Sequence, residues 1–210
     1  MIYLSGADNK ALRAVADTAS VGLIVTPGIR YATSTIDRYR WWAADNACYK
    51  QGDAFDLGQY LAWLEKHSSI ASKCLFATAP DVVSDWQATW KRSADVLPKI
   101  RGLGYRAAVV LQDGCVDVPW DEIDAVFVGA SVAWKLLHVA AKLCHQAADR
   151  GKLVHVGKVS SSRRMMAAQQ MRTTSCDGTF LAFGPDKNLP RVMKWLKNER
   201  ENPCLNLTWK

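Results

Sequence analysis

Three aspartates stand where short apolar runs end, and they are the residues of this sequence best suited to chemistry. Asp45 follows Arg40-Trp41-Trp42-Ala43-Ala44, Asp81 follows Lys73-Cys74-Leu75-Phe76-Ala77-Thr78 and Ala79-Pro80, and Asp177 follows Ser175-Cys176. Brought together, two such carboxylates can divide the work of breaking a glycosyl bond, one as nucleophile and one as acid and base. A third acid beside a glutamine suits the donor and acceptor edge of a guanine-like base. Gln112 is that glutamine, ending another apolar run at Gln112-Asp113-Gly114. Each residue also has a purely structural reading. Asp177-Gly178 is a common hairpin dipeptide, and Asp45 and Asp81 fit helix caps or turns. Gln112-Asp113-Gly114 can be a plain turn, and Gly129 a packing glycine.

The run Leu153-Val154-His155-Val156-Gly157 feeds a basic, serine-rich loop, Lys158-Val159-Ser160-Ser161-Ser162-Arg163-Arg164. Ser160 and Ser161 at a helix N-terminus, with Arg163 and Arg164, form a candidate phosphate site, although cations in a first turn oppose the helix dipole. A solvated basic turn fits the same residues. His155 reads as a packed interior histidine. Lys158 offers Schiff-base chemistry, with nothing visible nearby to lower its pKa.

What must position these residues is a regular alternation of strands and helices. Ile2-Tyr3-Leu4 and Val21–Thr26 are strand-like, and between them Leu12, Val15, Ala16 and Ala19 repeat at helical spacing after a cap at Asp8 or Asn9. The runs ending at 44, 78, 111, 128, 157 and 177 continue the series. Helices are expected around Leu57–Leu64, around Trp86–Leu97 until Pro98 and Gly102 break it, from a Ser131 cap through Leu136 to Ala147, and around Pro190–Lys197. Apolar strands separated by helices imply a parallel sheet covered on both faces. Eight such units in 210 residues predict a single compact (β/α)8 TIM-type barrel domain, 1–210. An open doubly wound sheet is the rival, but no Gly-x-Gly-x-x-Gly follows the first strand.

The composition is that of an ordinary globular protein, 49% hydrophobic and 22% charged. A net charge of +7 and a pI near 9.2 favour a polyanionic partner. Nine tryptophans are many for this length, and a few could stack on bases. No apolar run is long enough to span a membrane, and the N-terminus lacks a signal-peptide pattern, so a cytoplasmic protein is expected. The six cysteines, at 48, 74, 115, 144, 176 and 204, show no metal-ligand spacing and read as buried free thiols. No metal and no cofactor are expected.

Taken in order, Ala44-Asp45-Asn46, Ala79-Pro80-Asp81, Leu111-Gln112-Asp113-Gly114, Phe127-Val128-Gly129-Ala130, His155-Val156-Gly157-Lys158-Val159 and Ser175-Cys176-Asp177-Gly178-Thr179 resemble the tRNA-guanine transglycosylase superfamily. The similarity is nearest to its compact branch, the deazapurine DNA modification transglycosylases of phages, and Gly184–Arg191 fits that branch too. The resemblance implies replacement of guanine in a polynucleotide by a 7-deazaguanine such as preQ0, in a host cytoplasm if the protein is phage-encoded. Asp177 would match the nucleophile that attacks C1′, and Asp45 the acid/base. Asp81, Gln112 and Gly129 would match the base-reading positions, with Asn46, Asp113, His155 and Lys158 in the substrate-binding set. The tRNA enzymes carry a Cys-x-Cys-x-x-Cys…His zinc site, which this sequence lacks, and it has little room for elements that grip tRNA. DNA, double- or single-stranded, is therefore the expected partner. The alternatives are action on tRNA, a non-catalytic nucleic-acid-binding barrel, or a phosphate-binding aldolase-type barrel using Lys158.

Overall fold

The eight apolar runs become eight strands: β1 (Ile2–Ser5), β2 (Val21–Val25), β3 (Trp42–Ala44), β4 (Cys74–Thr78), β5 (Ala107–Leu111), β6 (Ala125–Val128), β7 (Leu153–Val156) and β8 (Ser175–Gly178). The computed structural model describes residues 1–201 apart from Ala19 and Leu136. The helical positions expected at Ala19 and Leu136, and Cys204, lie outside the described residues. Every strand is parallel to its neighbours, and β8 pairs with β1, Leu4 opposite Asp177, to close the (β/α)8 barrel.

Side chains alternate across a strand, so closure sorts each strand into inner and outer residues. Leu4, Ile24, Ala43, Leu75, Phe76, Ala108 and Ala125 form a small cluster inside the barrel, with Phe127 and Leu153 against it. Leu23, Ala44, Val109, Leu111, Val126, Val128, Val154, Val156 and Cys176 belong instead to the larger cluster between barrel and helices. Carried to the C-terminal strand ends, this alternation points Asp45, Gln112, Gly129, Gly157 and Asp177 inward. Strand β4 departs from the rule. Trp42 pairs with Cys74 but Ala44 pairs with Ala77, a bulge of one extra residue that turns both Leu75 and Phe76 inward.

Four helices differ from expectation. The first is only Lys10–Arg13, capped by Asn9, whose Oδ1 accepts from Leu12 N at 2.9 Å. Asp8 instead accepts from Arg13 Nε (2.9 Å) and the Tyr39 hydroxyl (2.6 Å). The helix expected through Leu97 ends at Ser93, and Pro98 stands in the first turn of a new helix, Leu97–Gly102, where a missing N–H costs nothing. Ser131 does cap, accepting from Trp134 N at 3.2 Å, but that helix is only Val132–Lys135, and a second runs His138–Asp149. The last helix opens at Pro185, with Pro190 inside it. The helix thus starts five residues before the expected Pro190, with Pro185 in its first turn.

Gly22 shows how little room the wall of the barrel leaves. A Cβ there would lie 2.4 Å from the Trp41 carbonyl oxygen and 2.9 Å from Leu4 Cδ2. Gly22→Ala should therefore destabilise by about 1–3 kcal/mol, measured by urea unfolding. Gly6→Ala is the control: its Cβ meets nothing within 4 Å, so its midpoint should stay within the ~0.5 kcal/mol of an ordinary surface change.

Candidate active site

A cavity of about 150 Å³ opens at the C-terminal mouth of the barrel, the end where barrel enzymes carry their chemistry. Asp45, Asn46, Asp81, Gln112, Gly129, Lys158 and Asp177, all singled out in the sequence, line it together. Val110 and Phe127 reach it from the strands, and the exposed side chains of Tyr49 and Val83 stand at its rim.

Asp177 is supported from below by His155. The imidazole is fully buried, its ring centroid 4.5 Å from that of Phe127 and 5.0 Å from that of Phe76. Burial holds its pKa below the usual histidine value although Asp177 pulls the other way. With Asp177 as a carboxylate, the neutral ring donates from Nε2 to Asp177 Oδ1 (3.0 Å), and Nδ1 accepts from the Ser175 hydroxyl (2.9 Å). Inner residues of two adjacent strands thus fix one carboxylate. Close packing completes the support: a Cβ on Gly178 would lie 2.3 Å from the Val159 carbonyl oxygen, and Val159 N donates to Asp177 O.

The opposite wall is a hydrogen-bonded group built on Asn46. Its Nδ2 donates to Ala79 O (2.7 Å) and Asp81 Oδ1 (3.0 Å), while its Oδ1 accepts from Cys48 N (2.7 Å). Gln112 Nε2 donates to Asp81 Oδ2 (2.6 Å), and Gln112 Oε1 accepts from Ser84 N (3.1 Å). Ala47 and Ser84 both adopt left-handed backbone, φ 66° and 61°, a conformation that costs a non-glycine residue energy and collects at functional sites. Burial raises the pKa of Asp81 against these stabilising bonds. Asp45 goes further, to about 6: burial is the main cause, and the charges of Asp177 and Asp81 add to it. Asp45 can therefore hold or release a proton near neutral pH.

Lys135 is the charged cavity residue that the sequence did not single out. It ends the short helix after β6, is buried, and turns back over the mouth to donate from Nζ to Gly157 O at 2.9 Å. Burial lowers its pKa to about 8, Asp177 opposing and Lys158 reinforcing the shift. Lys158, the amine expected to matter, is exposed, with left-handed backbone (φ 65°) and its Nζ 4.5 Å from the centre of the Tyr49 ring.

Some expected site residues do other work. Asp113 does not line the cavity; its Oδ1 accepts from Ser131 N at 2.8 Å and ties the loop after β5 to the loop after β6. His155 lies beneath the cavity as the partner of Asp177. Ser160 sits half-buried in the loop, and Ser161 caps the helix Ser162–Gln170 by accepting from Arg164 N. Arg164 donates to Lys158 O, whereas exposed Arg163 has no partner among the described residues. No tryptophan among the described residues lines the cavity; the aromatic at its rim is Tyr49.

No family model and no curated protein matches the chain. Among solved structures it is similar to a mutant of flavocytochrome b2, with 11% identity and a TM-score of 0.59, over 94% of this chain and 63% of that one. The chain thus spans less than two thirds of that protein. It is also similar to a structure described as native KDPGal, with 13% identity and a TM-score of 0.55, over 95% and 93% of the two chains. At such identities the likeness carries the TIM-type barrel fold alone.

Proposed function

We propose that this barrel is an enzyme, a transglycosylase that exchanges guanine in DNA for a 7-deazaguanine base. The observation that carries the reading is that Asp177 and Asp45 share one cavity but differ in environment. Asp177 is oriented by a neutral imidazole, while burial raises Asp45 to about 6. Unequal carboxylates divide nucleophile and proton-carrier roles. In the first step an oxygen of Asp177 attacks C1′, the C1′–N9 bond breaks, and Asp45 protonates the departing guanine. In the second, Asp45 takes the N9 proton of the incoming base. N9 then attacks C1′ on the face guanine left, and the Asp177–C1′ bond breaks. Two inversions retain the configuration that exchange within a strand requires.

The wall of Asp81, Gln112 and Asn46 supplies acceptors and donors for the amide edge of a guanine-like ring, and Tyr49 offers a stacking face at the rim. Arg163, exposed and without a partner among the described residues, is the side chain we assign to a backbone phosphate. Net charge supports a polyanion in general. DNA rather than tRNA is the polynucleotide implied by the resemblance to the compact phage branch.

Three outcomes test this. Incubated with DNA and labelled guanine, the wild-type protein should exchange base and leave a covalent protein–DNA adduct on a denaturing gel. Asp177→Asn should abolish both, dropping exchange at least ~10³-fold. Asp45→Asn should slow turnover while retaining some adduct. Near-normal exchange by both variants would remove the transglycosylase reading, and exchange into tRNA alone would reassign the substrate.

The raised pKa of Asp45 makes a separate prediction. A carboxyl that binds its proton more tightly when folded contributes stability below the unfolded value of 3.8, lost as pH rises through about 6. Asp45→Asn has no such loss, so its stability relative to wild type should rise between about pH 4 and pH 7, by on the order of 1–2 kcal/mol after solvent screening. A pH-independent difference in urea unfolding would show that Asp45 is not held in this way. Finally, Arg163→Ala should reduce the slope of log affinity against log salt by about 0.7–0.9, one phosphate contact.

A further inference from the structure

We propose that Lys135 carries a second activity, the cleavage of DNA at an abasic deoxyribose through a Schiff base between its Nζ and C1′. It rests on the exchange reading in that a deoxyribose C1′ must reach Asp177.

Lys135 is the buried amine of the cavity, and base exchange leaves it unused. Its Nζ donates to Gly157 O at 2.9 Å, and among the described residues it meets no second acceptor. Asp177 stands on the other side of that glycine, where an added Cβ would lie 3.2 Å from Asp177 Oδ1. Amine and nucleophile thus flank one residue and open on one cavity of about 150 Å³. A sugar carbon delivered to Asp177 is brought beside Lys135 as well.

Lysine attacks carbonyl carbons where desolvation or a neighbouring cation favours its neutral form. Lys135 has both, since it is buried and the charge of Lys158 opposes its own. A pKa of about 8 leaves part of the amine uncharged near neutral pH. Lys158 lines the same cavity, but its side chain is exposed to water and its Nζ lies against Tyr49 at the rim.

The chemistry begins when water, instead of a base, meets the glycosyl-enzyme. The water oxygen bonds to C1′, its proton passes to Asp45, and the Asp177–C1′ bond breaks. The resulting hemiacetal opens at C1′–O4′ to an aldehyde. The neutral amine of Lys135 adds to that carbon, and water leaves to give the imine. The imine acidifies the C2′ proton, which the Asp177 carboxylate takes. The C3′–O bond then breaks and releases the downstream strand with its phosphate. Water hydrolyses the imine and restores the amine. If Lys135 only balanced the carboxylates of the cavity, no covalent bond to it would form.

The test mixes the intact chain with an oligonucleotide carrying one abasic site, with and without borohydride. Borohydride should trap a protein–DNA adduct, and peptide mapping should place it on Lys135. Without borohydride, the strand should break at the abasic site at least about tenfold faster than in protein-free solution. Lys135→Met and Lys135→Gln should each lower trapping and cleavage by about tenfold or more. If neither variant folds, the map of the wild-type adduct decides. No adduct, an adduct on Lys158 or the N-terminal amine instead, or undiminished cleavage by the folded variants overturns the proposal. Guanine exchange measured on the same protein separates the two activities. Exchange without a Lys135 adduct overturns the lyase alone. A Lys135 adduct without exchange removes the transglycosylase and leaves the lyase standing.

Discussion

Closure of the sheet is the constraint on which everything at this mouth depends. Once β8 pairs with β1, no strand can slip by one residue without turning its inner side chains outward. His155 and Asp177 meet because both are inner residues of adjacent strands, and Asp45 faces them because Ala43 below it is also an inner residue. The bulge in β4 adapts this rule locally. It sends Phe76 inward against the His155 ring and leaves Thr78 to receive Asn46 N at 2.8 Å, anchoring the loop that carries Asp45.

Three carboxylates and one buried ammonium in a small cavity are an electrostatic load, and the fold distributes it unequally. Asp81 is held by two side-chain amides, Asp177 by an imidazole that burial keeps neutral, and Asp45 by one long bond from Ala47 N at 3.3 Å. The least supported of the three is the one whose pKa rises to about 6. The asymmetry between these chemically identical groups thus follows first from burial and then from how many donors each finds, and donors are set by neighbouring strands and loops. The left-handed residues Ala47, Ser84 and Lys158 lie in those loops, where the backbone is bent to bring its N–H groups or side chains to the mouth.

Most of this was legible before any coordinates. Strand positions were readable because runs such as Ala107–Leu111 are apolar on both faces, and the strand-end acids because polar residues interrupt such runs abruptly. Helix extents were less so. Periodicity alone joined Val132 to Ala147 and Trp86 to Leu97, but tertiary contacts divide both stretches. Asp113 looked like a member of the site because it adjoins Gln112. In a strand, adjacent residues face opposite ways, and the inward phase belongs to Gln112. Alternation from Ala108 would have separated the two.

Lys135 was hidden for a different reason. It lies inside an apolar helical pattern, where a lone lysine reads as a solvated position, and its burial depends on a break after it that no proline or glycine announces. Its side chain reaches the Gly157 carbonyl, and that contact links two sectors of the site. Gly157 stands between Lys135 and Asp177: a Cβ there would lie 3.2 Å from Asp177 Oδ1. The ammonium is therefore near enough for its charge and that of Asp177 to interact, yet it is carried by a segment after β6 that can vary without altering β8. The glycine between them is what allows the ammonium and the carboxylate to sit close together.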